Sequence, residues 1–132
     1  AMAGDRRTFS SGAPWEPVVG YSRAVRVGNH VFVSGTAAVD GEGRVVGGND
    51  PGAQMRHCLG IVLDALHALG AEARHVVRTR TYVVDMTHWE AVGRAHGAVF
   101  GDVRPATSMV QVAALIRPDL LVEVEAEAIV TD

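Results

Sequence analysis

Three carboxylates recur at alternate positions in LVEVEAEAIV, at Glu123, Glu125 and Glu127, with Val122, Val124, Ala126 and Ala128 in step with them. Successive side chains of an extended strand point to opposite faces, so the glutamates share one face and the apolar residues the other. Two chemistries fit such a row. One is a solvated face laced by ion pairs. The segment VRTRTYV sets Arg78, Arg80 and Tyr82 on a single face, and cross-strand Arg–Glu pairs are expected if the two strands are neighbours. The other is a face covered by a further subunit, where some of the carboxylates line an interface or pocket.

The remaining reactive side chains are dispersed. The six histidines show no ligand spacing for a metal, and His57, His67 and His88 fall on helical segments as surface or packing residues. Cys58 adjoins an apolar helical stripe and reads as a core or boundary thiol, not a nucleophile. Gly41, Gly43, Gly47 and Gly48 form a loop without a phosphate-cradling motif. No metal or cofactor is expected.

The elements that must position the glutamates are legible from spacing. YSRAVRVGNHVFVSG, Tyr21 to Gly35, is two β-type runs around Gly28-Asn29, a tight-hairpin signal. Asp50-Pro51 opens a helix, with the aspartate as cap and the proline in the first turn. Met55, Leu59, Val62, Leu63, Leu66 and Leu69 then recur at three- and four-residue spacing until Gly70. His75 to Met86 is β-branched and reads as a strand. Thr87-His88-Trp89-Glu90 matches a capping box. The helix it would open sets Trp89, Val92, His96, Val99 and Phe100 on one side. Strands at about Ser108 to Leu115 and Leu120 to Val130, joined by a Pro-Asp turn, close the chain. Two helices cover one face of such a sheet, which predicts an α+β fold with its second face bare.

The chain has 132 residues, 48% hydrophobic and 20% charged, the composition of a single globular domain spanning 1–132. Residues 1–10 are expected to be flexible, and Ala1-Met2 reads as an expression remnant ahead of a native methionine. A net charge of -3 gives no basic footprint for nucleic acid. The single cysteine cannot form an internal disulfide and fits a reducing, cytoplasmic setting. No apolar run is long enough to span a bilayer, so no membrane partner is expected.

Taken together, the hairpin, the helix AQMRHCLGIVLDALHALGA, the strand RTRTYVVDM and the closing RPATSMVQVAALI…LLVEVEAEAIV resemble the RidA (reactive intermediate deaminase, or YjgF) family, also called endoribonuclease L-PSP. The resemblance runs from about Tyr21 to Val130, in register apart from a short length difference before Leu120. It implies a chorismate-mutase-like mixed sheet with two helices on one face. It also implies a homotrimer with a small-molecule cleft at each subunit interface, the glutamate face turned toward those clefts. Deaminases of the family hydrolyse imines and enamines such as 2-aminoacrylate without a cofactor. By resemblance Tyr21 and Glu123 take the catalytic positions, Glu123 placing water, while Ser34 and Gly35 bind substrate. The departure is at Pro105-Ala106-Thr107-Ser108. Thr107 stands where the family's deaminases carry the arginine that grips a substrate carboxylate, and a neutral hydroxyl cannot replace a bidentate guanidinium. Thr107 is expected to line the cleft. Arg104 beside it is the nearest cation, read as a surface or intersubunit charge in preference to a displaced clamp.

Three functions follow from these residues. One is a cofactor-free imine or enamine hydrolase of altered specificity. The second is a trimer that binds a metabolite without turnover. The third, the family's ribonuclease, ranks last, because the chain is acidic overall and has no paired histidines.

Overall fold

A computed structural model describes residues 5–132. Their strands are β1 (Arg6–Phe9), β2 (Ala24–Val27), β3 (His30–Ala37), β4 (Val76–Val83), β5 (Ala106–Gln111) and β6 (Val122–Ile129), with helices α1 (Pro51–Ala68) and α2 (Trp89–Phe100). The six strands form one sheet in the order β1-β2-β3-β6-β4-β5. All neighbours are antiparallel except β4 and β5, which run parallel through the crossover that contains α2.

The predicted hairpin is β2–β3, closed at Gly28, whose φ of +58° a side chain would resist. The Asp50 carboxylate accepts from the Ala53 N–H, capping α1 as expected, a contact typically worth about 1 kcal/mol. The α1 stripe of Met55, Leu59, Val62 and Leu66 is buried, and it packs with Val92 and Phe100 of α2 against Val31, Val33, Val83, Val122 and Val124. Both α-helices therefore lie on the valine face, and neither covers the glutamate face. The fold is α+β, as read from the sequence. No helix of the described residues is long and apolar enough to cross a membrane.

Several expectations need correction. Residues 1–10 are not flexible throughout: Arg6–Phe9 pair with β2 as the edge strand β1. Ala1-Met2 lies outside the described residues. The capping box at Thr87–Glu90 does not form. Asp85 instead accepts from Thr87 and caps a 3-10 turn at Met86–His88, which runs straight into α2. Trp89 at the start of α2 is exposed and does not join the packed side. The strand before the Pro-Asp turn also ends sooner than expected, at Gln111. β6 inserts between β3 and β4, so β4 separates it from β5.

Candidate functional site

Register sets the three glutamates opposite β4: Glu127 faces Arg78, Glu125 faces Arg80 and Glu123 faces Tyr82. The side chains then lean one pair along the sheet. Arg80 Nη1 reaches Glu127 Oε1 at 2.9 Å and Glu125 Oε1 at 3.4 Å, and the Tyr82 hydroxyl donates to Glu125 Oε1 at 2.8 Å. Burial of Glu125 and Glu127 is thereby compensated, and the expected Arg–Glu ladder is present. Glu123, at the end of the row, is left out. Among the described residues its carboxylate takes no hydrogen bond and no ion pair. Burial raises its pKa above the usual carboxylate value, the charge of Glu125 adds to the rise, and the nearby Arg23 guanidinium opposes it. A half-buried carboxylate with free lone pairs is chemically the most available group on this face.

On the other flank β6 meets β3 with a bulge. Val33 pairs Ala126 and Thr36 pairs Val124, so Ser34 and Gly35 together stand opposite the single residue Glu125. The bulge lets the Glu123 carboxylate lie over Gly35, where no side chain blocks it. Ser34 is tied down by its own bonds: its N–H donates to the Arg23 carbonyl at 2.9 Å and its hydroxyl to the Ser22 carbonyl at 2.7 Å. Tyr21 follows a one-turn π-type helix at Glu16–Gly20, and its N–H closes that turn on the Glu16 carbonyl. A groove of about 440 Å³ runs beside these residues, lined by Arg6, Glu16, Tyr21, Ser22, Val25 and Ser34 among others.

One residue that sequence reading did not single out links them all. Arg23 is 7% exposed. Its Nη1 donates to the Gly35 carbonyl at 2.8 Å and to Thr36 Oγ1 at 3.1 Å, and its Nη2 donates to the Tyr21 hydroxyl at 3.3 Å. The guanidinium also lies 5.4 Å from the centre of the Tyr21 ring. The signal available in the sequence was alternation: Ala24 belongs to the core, so Arg23 falls on the glutamate face.

Tyr21, Ser34, Gly35 and Glu123 are thus brought together within one chain. Thr107 and Arg104 are not. Thr107 pairs Thr79 across β4–β5, and its hydroxyl bonds to that of Thr79 at 2.7 Å. Thr79 is fully buried and contacts His96 Nε2 of α2 at 2.8 Å. The Thr107 side chain therefore lies on the helix side of the sheet, opposite to Glu123 and two strands away. Arg104 is exposed, with φ of +56°, and its N–H closes the end of α2 on the Phe100 carbonyl. Among the described residues neither makes a hydrogen bond or ion pair with Tyr21, Ser34, Gly35 or Glu123. Cys58 is buried, and its thiol pKa is pushed up to about 12 by burial, with Glu123 adding to the rise, so it does not ionise near neutrality. Among the described residues, no three His, Cys, Asp or Glu side chains are grouped to hold a metal ion.

Comparison with known proteins gives a consistent picture. The profile of the family described as Endoribonuclease L-PSP matches residues 11–130. A crystal structure of a YjgF/YER057c/UK114 family member from Mycobacterium tuberculosis superposes with a TM-score of 0.87 at 48% identity, covering 96% of this chain and 100% of that one. An uncharacterized protein of Streptomyces coelicolor is 38% identical over 122 residues, 92% of this chain and 90% of that protein. The 3-aminoacrylate deaminase RutC of Acinetobacter baylyi is 32% identical over 112 residues, 85% of this chain and 88% of that protein.

Proposed function

The chain belongs to the endoribonuclease L-PSP (YjgF/RidA) family, and from that premise we propose that it is a cofactor-free hydrolase of small imines or enamines. Its clefts lie between copies of the chain in a homotrimer. The observation that carries the proposal is the unpaired, half-buried carboxylate of Glu123 over Gly35, within the field of the Arg23 guanidinium that bonds the Tyr21 hydroxyl, on a sheet face that neither α1 nor α2 covers. The relative named as a 3-aminoacrylate deaminase supports the reaction class.

The chemistry asks little beyond these groups. An enamine takes a proton at carbon to become an imine. Water then adds to the imine carbon, and the carbinolamine collapses to a carbonyl compound and ammonia. A carboxylate whose pKa is raised can accept the proton of the attacking water and return it to the departing nitrogen. A hydroxyl such as that of Tyr21 can steady the polar group at the reacting carbon. No oxidant or metal is required for the balance.

The bare face supports association of the chain, here proposed as a trimer. Val27, Phe32 and Val110 alternate onto the side of the glutamates, and each is well exposed in the single chain, Phe32 at 46%. Such apolar groups beside a charged row mark a face that association covers. In that assembly Thr107 of one copy lines the cleft of another. The position of Thr107, uncharged and engaged with Thr79, favours a second reading of binding without turnover. Light scattering is expected to give about three times the 13.9 kDa of one chain, and a stable monomer would remove the intersubunit cleft. Ammonia release from a panel of imines and enamines separates the hydrolase from a binding protein.

A further inference from the structure

We propose that Arg23 is the positioning residue of this site. Its one guanidinium holds the Tyr21 hydroxyl as an outward donor, fixes the Ser34–Gly35 bulge beneath Glu123, and is the counter-charge to Glu123. The inference rests on the proposed reading that Tyr21 and Glu123 face a ligand.

The geometry is directional. A guanidinium only donates. The Tyr21 oxygen, by accepting from Nη2 at 3.3 Å, is obliged to turn its own hydrogen elsewhere, and so presents a donor to whatever occupies the groove. Both hydrogens of Nη1 are used at the bulge, on the Gly35 carbonyl and Thr36 Oγ1. That carbonyl belongs to the residue over which the Glu123 carboxylate lies. One planar group therefore sets the donor and the carboxylate relative to each other. Lysine offers a point charge and no such fork.

Burial adds a second argument. Arg23 forms no ion pair among the described residues, and its Nε–H is buried without a hydrogen-bond partner. A cation held out of water in this way is costly as a stability device. It is balanced at longer range by Glu16 and Glu123, whose carboxyl groups both feel its charge. Glu123 is otherwise surrounded by groups that oppose or ignore its ionisation: Glu125 on its own strand, Tyr82 on β4, and the Cys58 thiol on α1. Among the described residues, Arg23 is the one positive group acting on it.

The test follows the Glu123 carboxyl by ¹³C NMR titration of the full chain, assigned with Glu123→Gln, together with the Tyr21 ring resonances. In Arg23→Gln the Glu123 midpoint is expected to rise above that of wild type and the Tyr21 resonances to move. In Arg23→Lys the charge persists, so the midpoint stays near wild type while the Tyr21 resonances still move. Where the wild type has measurable turnover, both variants are expected to lose on the order of 10- to 100-fold in kcat, with a smaller change in KM, as for a misaligned site. A Glu123 midpoint unchanged in folded Arg23→Gln, or Tyr21 resonances unchanged in folded Arg23→Lys, overturns the inference. If the wild type releases no ammonia from any imine yet both NMR changes occur, the hydrolase proposal fails and the role of Arg23 stands.

Discussion

Gly35 lies directly beneath the carboxylate of Glu123: a Cβ placed on Gly35 would meet Oε2 at 2.5 Å and Cδ at 3.0 Å. The glycine is required by this contact and not by its backbone angles, because its φ is not positive. The obstructing atoms are the end of a flexible side chain, which can swing aside. Gly35→Ala is therefore expected to lower stability by no more than about 1 kcal/mol, while displacing Glu123. Turnover or ligand binding should fall nearly as far as in Glu123→Gln, and the double variant should be little worse than either. Thermal melts and a double-mutant cycle check this. Independent, additive losses would separate the two residues.

Glu123→Gln should not destabilise the protein at neutral pH. The folded state holds the Glu123 pKa above its ordinary value of 4.5, so ionisation opposes folding. The stabilising effect of the raised pKa is fully present below 4.5 and is lost as pH rises through the folded value. Denaturant midpoints are therefore expected to favour Glu123→Gln over wild type at pH 7 and to converge at low pH. A large loss of stability at pH 7 would return Glu123 to a purely structural role.

Thr79→Val should act through the other face. Thr79 is buried and joins Thr107 to His96, so removing its hydroxyl is expected to cost about 1–3 kcal/mol, with the Glu123 titration unaltered. Desolvation lowers the His96 pKa below 6.5. Its contribution to stability is thus present above pH 6.5 and lost as pH falls through the folded value. His96→Gln is expected to remove that part of the acid-side decline.

Thr107→Arg tests the proposal that this position lacks a carboxylate-binding arginine. Without a guanidinium there, the wild type should hydrolyse 2-aminoacrylate poorly. The missing contact amounts to about 2–4 kcal/mol of transition-state stabilisation, or roughly 30- to 1,000-fold in rate. A folded, trimeric Thr107→Arg should recover pyruvate release from aminoacrylate generated in situ. A silent variant would favour binding without turnover.

The glutamate row, the hairpin and α1 were legible because period and punctuation coincide there: Asp50-Pro51 before the stripe, Gly70 after it. The α2 start was misread because Asp85, two residues upstream, offers a carboxylate to Thr87 before the capping box can form. β1 escaped because RRTF has no apolar period of its own and is held by pairing to β2. Strand order was not legible either, since nothing local in β6 says that it separates β3 from β4. At the site, the family resemblance pointed to Tyr21, Ser34, Gly35 and Glu123, and alternation alone gave only the shared face of the glutamates. The burial of Arg23 arises only when Tyr21, Thr36 and Gly35 close around it. The side of the sheet that Thr107 takes depends on its pairing with Thr79, which the sequence of β5 alone does not specify.

The most direct measurement is ammonia release from a panel of imines and enamines, 3-aminoacrylate and 2-aminoacrylate included, by wild type and by folded, trimeric Glu123→Gln. Wild type is expected to release ammonia from at least one member well above the uncatalysed rate, and Glu123→Gln to lose about 100-fold or more of that activity, as when a general acid–base group is removed. Equal rates for the two proteins, or no release from any member by wild type, would contradict a hydrolase built on Glu123.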